Sequence, residues 1–298
     1  MSGGDTVKND RLRGAGDRWV PTVLSRWDEG ARDLPWRTTR DPWLVLVSEI
    51  MSQQTQVDRV IPKWTAFVER FPTPADAANA KAGELISMWD GLGYNRRALM
   101  LHACAIEIEE QHDGALPDSL DALLALPGVG PYTARAVLAF AFERDVGVLD
   151  TNVGRVLARL SGEPLEQKQA QALADSLVPS GEGWRWNQAI LDFGAQVCQK
   201  RTPKCSGCPI QAHCSWHGEG ADPAVGSAAV SAPQSTFAGS DRQGRGKLVA
   251  QVRCGPVDIA AAGDVMGFSD DPERSERVLD SLEADGLIVR VNGRLVLP

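Results

Sequence analysis

The chain has 298 residues, 43% of them hydrophobic and 23% charged, with 39 acidic against 31 basic side chains and a formal net charge of -8. That length can bury a large core and has room for more than one domain. The polar opening MSGGDTVKNDRLRGAG leaves no place for a secretory h-region and no apolar run reaches membrane-spanning length, so a soluble, cytoplasmic protein with no membrane partner is expected.

Apolar residues recur at helical spacing through PWLVLVSEIMSQQTQVDRVIPKWTAFVERF, which predicts helices from about residue 42 to 71. Within it Glu49 is a carboxylate set among apolar neighbours, where desolvation would favour its protonated form and suit it to general acid work. A second helical stretch, AGELISMWDGLGYNRRALMLHACAIEIEEQ, carries Arg96 and Arg97 just after Gly93-Tyr94, and buries Cys104 as a packing residue. Next comes SLDALLALPGVGPYTARAVLAFAF. Gly128 and Gly130 form a Gly-x-Gly turn opening onto a helix, which aims backbone N–H groups outward and leaves a phosphate room to approach. About twenty residues on, VLDTNVGRV places Asp150 after an apolar run and ahead of a helix, where an N-cap is its simplest role. That helix carries Arg155 and Arg159 on one face.

Four cysteines follow, Cys198, Cys205, Cys208 and Cys214, in the spacing C-x6-C-x2-C-x5-C. Four thiolates in one short loop call for a shared metal centre. Structural zinc sites usually bring two close pairs, whereas one C-x2-C flanked by longer gaps favours an iron-sulfur cluster, with zinc second and a disulfide pair third. His213 and His217 read as exposed loop histidines. Lys200, Arg201 and Lys204 lie inside the loop and make a local basic patch in an acidic chain.

From residue 219 to 240 the composition turns to Ala, Gly, Ser and Pro, the mark of a flexible linker. Residues 241–298 then read as a small module: helices in DRQGRGKLVAQV and PERSERVLDSLEADG, and a hairpin LIVRV-NG-RLVLP turning at Asn292-Gly293. Helices followed by a hairpin suggest a winged-helix-like arrangement. Residues 222–298 hold 8 basic against 11 acidic side chains, so packing or partner binding is as good a role for this module as DNA contact.

Six ordered segments, LPWR, SEIMSQQTQV, GLGYNRRA, LPGVGPYTA, LDTNVGRVLAR and the cysteine loop, together resemble the MutY-type adenine DNA glycosylases of the helix-hairpin-helix superfamily shared with endonuclease III. The resemblance runs over about residues 18–218. It implies a mainly α fold, a six-helix barrel domain plus an iron-sulfur domain, with the small α+β module appended. It implies a [4Fe-4S] cluster on Cys198, Cys205, Cys208 and Cys214, and a monomer that acts on double-stranded DNA at the nucleoid. The implied reaction is hydrolysis of the N-glycosidic bond of adenine mispaired with 8-oxoguanine or guanine.

In this resemblance Glu49 matches the acid that protonates adenine, and Asp150 the group that stabilises or transiently bonds the oxocarbenium-like sugar, with Tyr132 and Asn152 orienting the pair. Tyr132 stands where the endonuclease III branch has a Schiff-base lysine, which implies a monofunctional enzyme. Gln54, Thr55 and Tyr94 match residues beside the opposite base, and Trp36 and Arg37 the wall of the adenine pocket. Gly128, Gly130, Lys200, Arg201 and Lys204 match contacts to the DNA backbone. The chain departs from the pattern at Thr151 and Asn95. Its short tail also replaces the larger nudix-like domain that grips 8-oxoguanine in most relatives. Two other classes share part of the pattern: a thymine- or uracil-mismatch glycosylase, and a non-catalytic iron-sulfur DNA-binding protein, which would leave Glu49 and Asp150 unexplained.

Overall fold

A computed structural model describes residues 4–230 and 236–298, with side chains from residue 16 onward; positions 231–235 of the expected linker lie outside the described residues. Helices dominate. In chain order they are α1 (Gly4–Gly30), α2 (Pro42–Ser52), α3 (Val57–Arg70), α4 (Pro74–Ala78), α5 (Ala82–Met88), α6 (Arg96–Gln111), α7 (Leu120–Ala125), α8 (Pro131–Phe140), α9 (Thr151–Ser161), α10 (Gln167–Ser176) and α11 (Gly183–Gln196). The C-terminal part adds α12 (Asp241–Cys254), β1 (Val257–Asp258), α13 (Ala262–Met266), α14 (Pro272–Ala284), β2 (Val289–Val291) and β3 (Arg294–Val296). No described helix is long and apolar enough to cross a membrane.

The chain forms two compact units, each made of two separate stretches. The first comprises Met1–Pro42 and Gly130–Pro233. Its core packs α1 and α9 on α11, with α10 against α9 and α1, Trp19 against Trp186 at 5.7 Å between ring centroids, and Val153, Leu157 and Ile190 buried. The first part of the expected linker is strapped to this unit rather than left free. Asp222 pairs with Arg159 at 2.7 Å, and the Ala228 N–H donates to the Leu165 carbonyl at 2.8 Å. Gly154 permits this approach, since a Cβ there would stand 3.1 Å from the Ala228 carbonyl oxygen.

The second unit comprises Trp43–Val129 and Gln234–Pro298. Here α6 packs on α4 and α5, and Trp43, Phe67, Phe71 and Trp89 fill the interior. Thr73 and Asp76 close the start of α4 with a capping box. In the C-terminal part α12 packs on α13 and α14 over Leu248, Val252, Leu279 and Leu282. The three strands form an antiparallel sheet in the order β1-β3-β2. Its hairpin turns as expected at Asn292 (φ 49°) and Gly293 (φ 77°), both left-handed, which matches the right-handed twist of the strands. The expectation omitted β1 and α13: a two-residue strand and a five-residue helix are too short to show a period.

Candidate active site

Glu49 lies in the last turns of α2 and is buried, as are Val45, Leu46, Val47, Ile50 and Met51 around it in the sequence. The loop beyond α2 holds Gln54 with a left-handed backbone (φ 54°), and the loop before α6 holds Tyr94 likewise (φ 48°). Non-glycine residues seldom take this conformation, and it persists only where the surroundings impose it. Arg97 imposes it here. Its guanidinium donates to the carbonyls of Ile50 (2.7 Å), Met51 (3.0 Å), Gln53 (2.7 Å), Leu92 (3.1 Å) and Gly93 (3.0 Å), and to the Thr55 hydroxyl (3.0 Å). One side chain thus ties the two loops together. Burial brings its pKa down to about 10, which leaves it charged at neutral pH. The same loops line a groove of about 1100 Å³ whose other wall is α12.

Between α7 and α8 the Gly-x-Gly turn has the expected form. Gly128 is left-handed (φ 76°), and a Cβ there would stand 2.7 Å from the Cβ of Met100, so the fold itself requires glycine. Gly130 caps α8 and its missing Cβ would meet nothing within 4 Å. The space in front of that helix start is open, as an approaching anion needs. Tyr132 follows in the first turn of α8 and is half-buried.

Asp150 caps α9 and accepts three hydrogen bonds, from the backbone N–H of Asn152 (2.8 Å) and Val153 (2.7 Å) and from the Asn152 side-chain amide (2.7 Å). Burial pushes its carboxyl above the ordinary range, and these donors pull it back only in part. Arg155 then donates to the Asn152 amide oxygen (2.8 Å), the Gly194 carbonyl (2.7 Å) and the Cys198 carbonyl (2.7 Å). One turn on, Arg159 reaches the Cys198 sulfur (3.3 Å), the Gln199 carbonyl (2.8 Å) and Asp222. An unbroken polar chain therefore joins the Asp150 carboxylate to the first residue of the cysteine loop. Both arginines are buried, so the helix face they share is turned inward and adds nothing to the exposed basic residues of the cysteine loop.

The four cysteines line one pocket, together with Arg159 and Trp216. Among the described residues no set of three or more His, Cys, Asp and Glu side chains is gathered to hold a single metal ion. Four thiols around one pocket are a donor set suited to a thiolate-held metal centre. Lys200, Arg201 and Lys204 are exposed on this loop.

Trp36 and Arg37 form a short 3-10 turn after α1, and both are largely buried. Arg37 grips Asp192 of α11 with two parallel bonds (2.9 and 2.8 Å), and Arg32 reaches the same carboxylate. Burial alone would raise Asp192, but these hydrogen bonds hold it below the usual carboxylate range. Sequence reasoning missed Asp192, as it missed the roles of Arg97 and Arg155. Their partners are remote in the chain, and many are carbonyls, which have no signature. In the first unit the structure brings Asp150, Asn152, Arg155 and the cysteines together; in the second it groups Gln54, Thr55 and Tyr94 around Arg97.

A helical fold built on a helix-turn-helix with an anion-ready glycine turn, a capped aspartate and a four-cysteine loop defines a class of base-excision protein. Residues 47–180 match the HhH-GPD superfamily base excision DNA repair proteins. The chain is 41% identical over 282 residues to the adenine DNA glycosylase of Mycolicibacterium smegmatis, covering 92% of this chain and 94% of that relative. It is 39% identical over 208 residues to the human adenine DNA glycosylase, where the match covers 65% of this chain and 38% of the relative. Among solved structures, a thermostable thymine-DNA glycosylase superposes with a TM-score of 0.66 at 32% identity, over 70% of this chain and 98% of its own. A trapped endonuclease III–DNA intermediate superposes at 0.62 with 23% identity, covering 70% of this chain and 97% of its own, which speaks for the fold alone. The chain belongs to the adenine DNA glycosylase family.

Proposed function

We propose that this protein excises adenine mispaired with 8-oxoguanine or guanine in double-stranded DNA, as a monofunctional glycosylase. The observation that carries this reading is the contrast between two carboxylates. Glu49 is buried in an apolar helix, while Asp150 is held by three N–H donors at a helix start. Glu49 gives its proton to the flipped adenine as the bond from the sugar to the base nitrogen breaks and the electron pair leaves with the base. The sugar becomes cationic, and the Asp150 carboxylate, oriented by Asn152 and Tyr132, stabilises that charge. Water then adds to the anomeric carbon and its proton returns to Glu49. Because Tyr132 offers no amine, no Schiff base forms and the strand stays intact.

Gln54, Thr55 and Tyr94 attend the opposite base. Trp36 walls the adenine pocket, and Arg37, engaged with Asp192, holds that wall in place. Backbone N–H groups around Gly128 and Gly130, with Lys200, Arg201 and Lys204, meet the phosphates. Cys198, Cys205, Cys208 and Cys214 would hold a [4Fe-4S] cluster, whose part is to order the cationic loop. The protein acts as a monomer at the nucleoid in the cytoplasm, with residues 18–218 as the glycosylase core, 219–240 as linker and 241–298 as a winged-helix-like module that shares a compact unit with residues 43–129.

Incubation with an end-labelled duplex carrying adenine opposite 8-oxoguanine tests this. The wild type should leave an abasic site that breaks only under alkali, and Glu49→Gln should be slower by about 10²–10⁴-fold with duplex binding kept. Full activity in the variant would overturn the mechanism. The structural likeness to a thymine-DNA glycosylase supports a second reading, thymine excision from a mismatch, which a thymine:guanine duplex in the same experiment would reveal.

A further inference from the structure

Tyr94 projects at the mouth of the groove and is 40% exposed, unusual for so large a ring in a left-handed backbone. It is held from two directions. Arg97 ties down its loop and lies 5.8 Å from its ring centroid. Arg242, in the first turn of α12, donates from Nη1 to the Tyr94 hydroxyl at 3.0 Å and lies 5.4 Å from the ring of Phe237. The other arginines of α12 make a different kind of contact. Arg245 pairs with Asp285 and Arg253 with Asp90, so these two anchor the helix within its unit. Arg242 instead reaches a phenol at the edge of an open groove that is roomy enough for a nucleotide.

We propose that Arg242 is a positioning residue that fixes the pose of Tyr94, so that the C-terminal part of the chain acts on the choice of opposite base through this tyrosine. The proposal rests on the adenine-excision reading above. A free Tyr94 ring would sample other rotamers, and each would cost ordering when the duplex binds. Clamped between two guanidinium groups, the ring meets the opposite base in one orientation. Loss of the clamp should therefore blur the distinction between purines more than it slows excision itself.

The test is a double-mutant cycle on the ratio of single-turnover excision rates at adenine:8-oxoguanine and adenine:guanine. Arg242→Met and Tyr94→Phe should each lower that ratio about threefold to tenfold, the effect of one typical hydrogen bond. The double variant should be no worse than the poorer single, because both remove the same contact. Arg242→Lys should restore part of the ratio, and the melting temperature of Arg242→Met should match the wild type, since Arg245 and Arg253 still anchor α12. An unchanged ratio in Arg242→Met, or effects that multiply in the double variant, would overturn the proposal. If the wild type excises adenine from neither duplex, the underlying reading fails instead. The same cycle measured as duplex Kd then decides whether Arg242 acts through Tyr94.

Discussion

Asp150 closes the N-terminus of α9 with the same oxygens that the proposed reaction needs, so capping and catalysis meet in one carboxylate. Burial favours its neutral form and three donors favour the charged one, with burial ahead. The carboxylate therefore ionises at a higher pH than the ordinary value of 3.8, and the acidic limb of the excision rate should lie correspondingly higher. The Asn152 amide lowers that pKa, so Asn152→Ala should move the limb to still higher pH; single-turnover rates across the acidic range would show it. A limb that stayed in place would mean that another group sets it. The stability sign follows from the same shift. As pH rises the unfolded chain gives up this proton first, so Asp150 costs stability progressively from its unfolded pKa up through its folded one, and protonation relieves that cost.

Helix α9 shows why a local signal and a functional network differ in how well they can be read. Its cap at Asp150, its apolar face and its left-handed Gly162 terminus are local features, and each is visible in the sequence. The inward turn of Arg155 and Arg159 is not visible, because their acceptors are mostly carbonyls 39 to 43 residues downstream. Every residue has a carbonyl, so no residue type marks these partners. The Asn-Gly hairpin and the glycine turn were readable for the opposite reason: left-handed positions restrict residue type directly. The network has its own consequence. Arg155→Leu would leave the Asn152 oxygen and the Gly194 carbonyl short of a donor in a buried place, and the Cys198 carbonyl with Arg159 alone, at a cost of about 2–4 kcal/mol. The variant should melt earlier by circular dichroism, and at temperatures where it is folded it should excise adenine more slowly, because Asn152 no longer holds Asp150 in register. An unaltered rate in the folded variant would show that Asn152 needs no such support.

At the scale of the whole molecule, an acidic protein is proposed to grip an anionic polymer, and the arrangement of charge makes this possible. Arg97, Arg155 and Arg159 are turned inward to bind carbonyls and carboxylates, while Lys200, Arg201 and Lys204 stand exposed together on one loop. The formal charge of -8 counts both kinds alike and so says little about the binding face. In the proposed reading the C-terminal part bears on which opposite base is accepted. Its three helices and three-stranded sheet span little more than residues 241–298, and the match to the human relative covers only 38% of that longer protein. This part reaches the groove through α12 and the loop at Phe237. Selectivity built from few contacts has little free energy to draw on, since each hydrogen bond that distinguishes two bases contributes about 1 kcal/mol. The ratio of single-turnover excision at adenine:8-oxoguanine over adenine:guanine should thus be lower for this protein than for the human relative measured side by side. A ratio equal to that of the longer protein would mean that Gln54, Thr55 and Tyr94, held by Arg97, suffice to read the opposite base as sharply.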